Sequence, residues 1–296
     1  MRNSNLYGIL SEIDVIITTR NRVHDLIYTI NKLLEIGFTE SQIFIIDDCS
    51  SDNTTDLVSK NYGEINITKN TTNEGLIRNR NELIKGTFRP FIFSIDDDAN
   101  PLNIEDIFDP IIYLKAHDNI VVYSFKLYNS RETPPPINSK GEFKIVKTFF
   151  GGAHIMKRNV IDKVGLYFEK FEFYCEELEF SIRIFKENLF IVSNEAIVHH
   201  RIDLKNSGKR IVSVDEKKRL ELGFSNGLWV IYMHYPYLIR WLFIFFYIVK
   251  RFIKYGCLKG ELKSFYFGLR RFLLLRDEGP VLKKMTLSQL LKWVKI

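Results

Sequence analysis

FIFSIDDDANPLN, residues 91–103, carries an apolar, strand-like run directly into three consecutive aspartates, Asp96, Asp97 and Asp98. Neighbouring carboxylates disfavour one another's ionised forms unless a cation or a hydrogen-bond donor compensates them. A cap or turn ahead of Pro101 needs one acid rather than three. A calcium loop fails on spacing, because counting from Asp96 puts Pro101 where the loop glycine belongs and Ile107 where the bidentate acid belongs. Hard cations such as Mg²⁺ or Mn²⁺ are held through one or two carboxylates plus substrate phosphates, and Asp96 and Asp98 can supply those carboxylates from a single strand-end turn.

Upstream of this run the same alternation repeats. DVIIT (14–18) is a buried-strand pattern followed by a polar loop, and HDLIYTINKLLEIG places Leu26, Ile30, Leu33 and Leu34 at helical spacing before a stop at Gly37. QIFIIDD is a second strand ending in acid, after which Ser51, Asp52 and Asn53 are capping residues ahead of a helix. EINITKN predicts a short third strand, NEGLIRNRNELIKG a helix, and FIFSI the fourth strand. Strands alternating with helices predict a doubly wound, mostly parallel sheet with helices on both faces, whose ligands bind at the carboxyl edges of the strands. The loops 18–22, 47–53, 73–81 and 96–100 are therefore expected around one crevice. Further on, NSRETPPPINSKGEF, with Pro134, Pro135 and Pro136, is an exposed loop, FYCEELEFSIRIFKENL a helix opening on paired acids, and LFIVSNEAIVHH a strand ending in two histidines.

With 46% hydrophobic and 26% charged residues over 296 positions, the chain suits one catalytic-size globular domain with an appendage, not a disordered or fibrous protein. Three widely spaced cysteines, Cys49, Cys175 and Cys257, suggest neither a disulfide framework nor a thiolate zinc site, and a reducing cytosolic setting fits. The first twenty residues lack the pattern of a secretory signal, so the protein is expected to stay inside the cell. Net charge is +6, and it is unevenly placed: residues 228–296 hold 13 Lys or Arg against 3 Asp or Glu, the rest 29 against 33. Two regions follow, 1–227 as the catalytic domain and 228–296 as a basic, aromatic-rich helical region.

In chain order, TTRNR, IDDCSSDNT, NEGLIRNRN, SIDDDANP, FGGAHIMKRNVIDKVGLYFEKF, YCEELEFSIR and IVHH resemble the family 2 glycosyltransferases of the GT-A fold, over about Asp14 to His200. The resemblance implies an inverting, metal-dependent transfer of a sugar from a nucleotide-diphosphate donor. It implies that Thr18, Arg20 and Asn21 line the nucleotide, that Asp48 reads the base, and that Asn73, Gly75 and Arg78, with Asn79 and Asn81 beside them, border it. Asp96 and Asp98 match the ends of the Asp-x-Asp motif, Asp98 as direct metal ligand and Asp96 nearer the ribose, with Asp97 in the variable middle position. Glu176 and Glu177 fall on the family's acidic pair, whose second member is the catalytic base. A histidine at the IVHH strand end is implied against metal or diphosphate, His199 first and His200 as the alternative. Gly151 and Gly152 would let backbone approach donor or acceptor, or form a tight turn. For Glu179 and Arg183 a helix-surface i,i+4 salt bridge is expected.

The segment LWVIYMHYPYLIRWLFIFFYIVKRFIKYG is strongly apolar but interrupted by His234, Pro236 and Arg240, so a spanning helix is not expected. Aromatics interleaved with Lys250, Arg251, Lys254, Arg270 and Arg271 point to helices lying in the headgroup region of an anionic membrane; the alternative is a helical subdomain packed on the core or forming a homodimer. No nucleic-acid-binding motif accompanies the charge. The expectation is a transferase using a UDP- or dTDP-sugar and a glycan or lipid-linked acceptor in cell-surface polysaccharide synthesis, cytoplasmic and peripheral at the inner face of the membrane. Two other classes stay open. A nucleotidyltransferase should show a Gly-rich phosphate loop after its first strand, and TTRNR has no glycine; a non-catalytic sugar-nucleotide binder would need no base.

Overall fold

β1 (Ile13–Thr19) is β-branched at every position but Asp14, and it is buried everywhere but at Thr18. Asp14 is tolerated there because its carboxylate accepts the amides of Phe88 and Arg89 and the Arg89 guanidinium. α1 (Val23–Ile36) follows, burying Leu26, Ile30 and Leu33, and stops at Gly37, whose φ of 114° is the left-handed turn that favours glycine. The computed structural model describes residues 8–130, 132, 134, 141–202, 216–257, 261–280 and 282–296. Pro135 and Pro136 of the expected exposed loop lie outside the described residues.

The chain continues through β2 (Ile43–Asp47), α2 (Thr54–Asn61), β3 (Asn66–Lys69), α3 (Leu76–Gly86), β4 (Phe91–Ile95), β5 (Ala99–Pro101), α4 (Glu105–Ala116), β6 (Ile120–Ser124), β7 (Lys126–Asn129), β8 (Lys144–Val146), β9 (Ala153–Lys157), α5 (Val160–Val164), α6 (Glu176–Lys186), β10 (Phe190–Ser193) and β11 (Ile197–His200). The helices α7 (Glu216–His234), α8 (Arg240–Arg251), α9 (Leu262–Leu275) and α10 (Leu287–Lys295) complete it.

The main sheet has the order β3-β2-β1-β4-β9-β6-β10-β8. Only β9 and β8 run against the others, as their antiparallel pairings with β4, β6 and β10 show. β4 and β6 are buried at all five positions each, so both faces of the sheet are covered. The parallel, doubly wound half is thus the one expected, whereas β9, between β4 and β6, was not foreseen; its AHIMK sequence mixes polar and apolar residues without a strand alternation.

A second sheet, β5-β11-β7, is built from the segment after the aspartates and the segment ending in the histidines. The single strand expected over LFIVSNEAIVHH is two strands in different sheets. Between them Asn194 braces the link, its Oδ1 accepting the Ala196 amide at 2.8 Å and the Tyr123 hydroxyl.

Contacts group the chain into two units, 1–167 with 187–210, and 168–186 with 211–296. The first contains both sheets. The second contains α6 and α7 to α10, and residue 227, the expected domain boundary, falls inside α7. Its centre is Trp229, fully buried, with Phe168 and Phe171 edge-on at 4.9 and 5.6 Å between ring centroids. No helix among the described residues is long and apolar enough to cross a membrane.

Candidate functional site

The carboxyl ends of β1, β2 and β4 are tied to one another by their loops. Asn21, at a left-handed φ of 54°, donates its amide to Ser50 Oγ at 2.9 Å and accepts the Ser51 amide on Oδ1 at 2.7 Å. Asp48 accepts the Glu74 and Gly75 amides at 2.8 and 3.0 Å and the Asn70 carboxamide at 3.0 Å, which fixes the turn into α3. Burial would raise the Asp48 carboxyl, but the Asn79 side chain, the two amides and Asn70 outweigh it and hold the group below the usual carboxylate range. Gly75, with φ 87°, begins α3 in a conformation that disfavours other residues. Three of the four loops expected around one crevice are thus joined to one another, and Asp97 joins the fourth through Thr19 and Arg22.

The aspartates divide their work. Asp97 turns inward, accepting Thr19 Oγ1 and Arg22 Nη1, each at 2.8 Å. Burial pushes its carboxyl up against the pull of Arg22, and Asp98 adds to the rise. Arg22 also bonds Asp98 Oδ2 at 2.8 Å. Burial alone would lower the guanidinium's affinity for its proton; the two aspartates reverse this. Asp96 is raised by burial and by Asp98, with Arg80 opposing. Its carboxylate lies against backbone at Gly152, where a Cβ would collide with Asp96 Oδ2 and the Phe150 ring, and its amide donates to the Gly152 carbonyl at 2.9 Å. This close approach accounts for the second glycine of the pair.

Sheet register selects the histidine. In β11, His200 pairs with Ala99 of β5 and Asn129 of β7, while His199 is one residue back and therefore on the other face. It is His200, rather than His199, that reaches the aspartates: its Nε2 lies 3.0 Å from Asp98 Oδ1. His199 Nε2 instead donates to the Ser130 carbonyl at 2.8 Å, and burial lowers its pKa. Asp96, Asp98 and His200 each offer one ligand atom, and these atoms lie within 4.8 Å of one another. His200 Nδ1 is 2.8 Å from Asn129 Oδ1; donating its proton there leaves the Nε2 lone pair directed at the Asp98 oxygen, and a cation shared between them satisfies both. Two carboxylates and one imidazole form a donor set that suits Mn²⁺ or Mg²⁺.

Thr18 lines a narrow crevice with Arg80, Ser94 and Asp96. Arg20 is half-buried. Asn73 is exposed, and Arg78 points outward into an i,i+4 pair with Glu74 at 2.5 Å. The arginine buried in this segment is Arg80, which donates to the Gly151 carbonyl at 3.3 Å. Asn79 accepts Asn70 on its Oδ1 at 2.8 Å, and Asn81 clasps Tyr167 through both carboxamide atoms. Sequence reading passed over Arg22 and Arg80; the signal available for Arg22 was a cation at the end of a loop expected to face three acids.

In the second unit, Glu176 and Glu177 begin α6, Glu176 buried and Glu177 half-buried. The Glu179–Arg183 pair forms, but it is buried, not on the helix surface: Glu179 is 1% exposed and accepts Arg183 Nη2 at 2.7 Å and His234 Nε2 at 3.0 Å. Burial lowers the His234 pKa despite Glu179.

Residues 14–168, just over half of the chain, match the pattern of glycosyl transferase family 2. The chain belongs to that family. Membership makes it a glycosyltransferase by class, and the solved neighbours share its GT-A fold. A curated relative, the poly(ribitol-phosphate) beta-N-acetylglucosaminyltransferase TarS of Staphylococcus aureus, is 26% identical over 131 residues, which are 42% of this chain and 23% of TarS. The chain thus spans about a quarter of the length of that relative. TarS residues 1–349 in complex with UDP-GlcNAc superpose with a TM-score of 0.54 at 18% identity, covering 74% of this chain and 65% of that one. GalNAc-T7 with UDP, GalNAc and Mn²⁺ gives 0.60 at 16% identity, over 76% of this chain and 48% of that one. The mannosyltransferase PcManGT of Pyrobaculum calidifontis, with GDP-Man and Mn²⁺, gives 0.55 at 9% identity, over 96% and 79%.

Proposed function

We propose that this transferase moves one sugar, with inversion, from a UDP- or dTDP-linked donor to a hydroxyl of a glycan or lipid-linked acceptor in cell-surface polysaccharide synthesis. The observation that carries the reading is the meeting of Asp96, Asp98 and His200 at the carboxyl edge of the sheet, beside the loops of β1 and β2. TarS, GalNAc-T7 and PcManGT support a nucleotide-diphosphate sugar as donor, since each is solved with a nucleotide or nucleotide sugar.

Asp48, with Thr18, Arg20 and Asn21, is assigned to the base and ribose side. Asp96, Asp98 and His200 would hold a divalent ion, which when bound supplies positive charge to the departing diphosphate. Arg22 keeps Asp97 and Asp98 paired and ordered before a donor arrives. Glu177 takes the proton of the acceptor hydroxyl as its oxygen bonds to the anomeric carbon, and the bond from that carbon to the donor phosphate breaks with its electron pair leaving on the nucleotide. Half exposure suits Glu177 to this task better than the buried Glu176.

A membrane partner is part of the same reading. On α8 and just beyond it, Trp241, Leu242, Phe245, Phe246, Val249 and Phe252 recur at helical spacing, and all are exposed. Lys250 and Lys254 lie beside them, and α8 and α9 contain no acidic residue. An exposed apolar stripe flanked by cations suits an anionic bilayer surface.

A thermal-shift panel of sugar nucleotides with and without Mn²⁺ tests the class and the donor together. A UDP- or dTDP-sugar should raise Tm only when Mn²⁺ is present. Stabilisation by nucleoside triphosphates in preference to nucleotide sugars would favour a nucleotidyltransferase and overturn the proposal.

A further inference from the structure

The backbone just ahead of the acid pair is held in an unusual shape. Glu172, Tyr174 and Cys175 have φ values of 60°, 69° and 68°, three non-glycine residues at positive φ within four positions. Each such residue costs about 1–2 kcal/mol, so the turn persists only if its surroundings impose it.

Two buried side chains from the C-terminal helices impose it. Asn226, fully buried on α7, donates its single amide nitrogen to the carbonyls of Phe171, Phe173 and Tyr174 at 2.8, 2.8 and 2.9 Å. Arg271, on α9, donates Nη1 to Asn226 Oδ1 at 2.7 Å, which orients that carboxamide, and Nη2 to the Lys170 carbonyl at 2.7 Å and to Glu172 Oε1 at 3.1 Å. One turn further along α6, Glu179 is gripped by His234 of α7. The acid pair therefore sits between two anchors, and both begin on the C-terminal helices. A turn needed only to connect two elements would use glycine and need no such clamp.

We infer that Asn226 and Arg271 are positioning residues that set the positive-φ turn Glu172–Cys175 and thereby aim the Glu177 carboxylate. The inference rests on Glu177 being the base. It gives the C-terminal helices a part in the reaction besides any docking. Displacing a reacting group by about 1 Å can cost a hundredfold in rate, so loosening the turn should act on kcat.

The test compares Asn226→Ala and Arg271→Lys in the full chain, each alone and combined with Glu177→Gln. Measured are kcat, the nucleotide Kd, and site-resolved hydrogen exchange. In the otherwise native chain, each clamp variant should lower kcat about tenfold or more, leave the nucleotide Kd unchanged, and speed exchange across residues 172–178 while strands β1 and β4 keep their protection. On the Glu177→Gln background the same substitutions should cost almost nothing, because the carboxylate they aim is gone. Equal losses on both backgrounds, or no loss in kcat, would overturn the inference. If Glu177→Gln alone stays fully active, the base assignment fails, and the aiming role falls with it even where exchange shows the turn loosened. Should Asn226→Ala also expose the sheet strands, Arg271→Lys, which keeps the charge and loses the fork, decides the matter by the same readings.

Discussion

Asp98 meets two demands at once, since one oxygen pairs with Arg22 and the other faces His200. Asp98→Asn keeps the shape but removes the negative charge, and Arg22 still has Asp97 to bond. The fold should persist, while Mn²⁺-dependent nucleotide binding should weaken at least tenfold by calorimetry; an unchanged affinity with Mn²⁺ present would remove Asp98 from the site. His154, on β9, shows the opposite economy. It is fully buried with its Nδ1 beside the Phe150 carbonyl, and burial, reinforced by Arg80, pushes its pKa down to about 3. The unfolded chain therefore takes up this proton from about pH 6.5 downward while the folded chain does not. Stability should be lost as pH falls from about 6.5 toward 3, at about 1.4 kcal/mol per pH unit from this group. Asp97, raised by burial and by Asp98, works in the other direction above the usual carboxylate range. The contribution of His154 is thus the difference in slope between the native chain and His154→Gln in urea melts at pH 7, 6 and 5; parallel slopes would show that the histidine charges freely in the folded state.

At the scale of elements, α7 and α9 pack closely in the helical unit. A Cβ on Gly268 would stand 2.8 Å from the Phe224 ring and 2.9 Å from the Glu221 carbonyl oxygen, and backbone cannot step aside as a side chain can. Gly268→Leu should therefore destabilise the protein by about 1–3 kcal/mol, the usual cost of overpacking, read as a lower denaturation midpoint without a change in m-value. An unaltered midpoint would mean that the two helices are free to separate. The small sheet β5-β11-β7 shows how an element can settle chemistry: a one-residue change of register would exchange His199 for His200 at the aspartates.

For the molecule as a whole, the question is what meets the exposed aromatic stripe on α8. The intact 296-residue chain should sediment with anionic vesicles and far less with neutral ones. Phe245→Ser combined with Phe246→Ser should release it, and salt should weaken binding only in part, because screening over about 10 Å at 0.1 M acts on the charges and not on the apolar insertion. A supernatant protein at low salt would point instead to a dimer contact, visible as a doubled mass in solution. Cutting the chain near Gly227 would sever α7 between Asn226 and Trp229, so it would confound docking with the loss of the unit's core.

Taken alone, the sequence determined the strand–helix alternation from Asp14 to Ile95, the acids at the strand ends and the acid pair opening a helix. Those readings rest on periodicity, caps and local charge, which act over a few residues. It did not determine which histidine joins the aspartates, because adjacent residues of a strand differ only in the face that register gives them. β9 was hidden because a mixed polar and apolar run becomes a strand only once β4 and β6 enclose it. Arg22, Arg80 and Asn226 were passed over, and Arg271 was expected among the headgroup cations although it is buried, for one reason: their partners lie about 45 to 100 residues away, and only the folded chain brings donor and acceptor together.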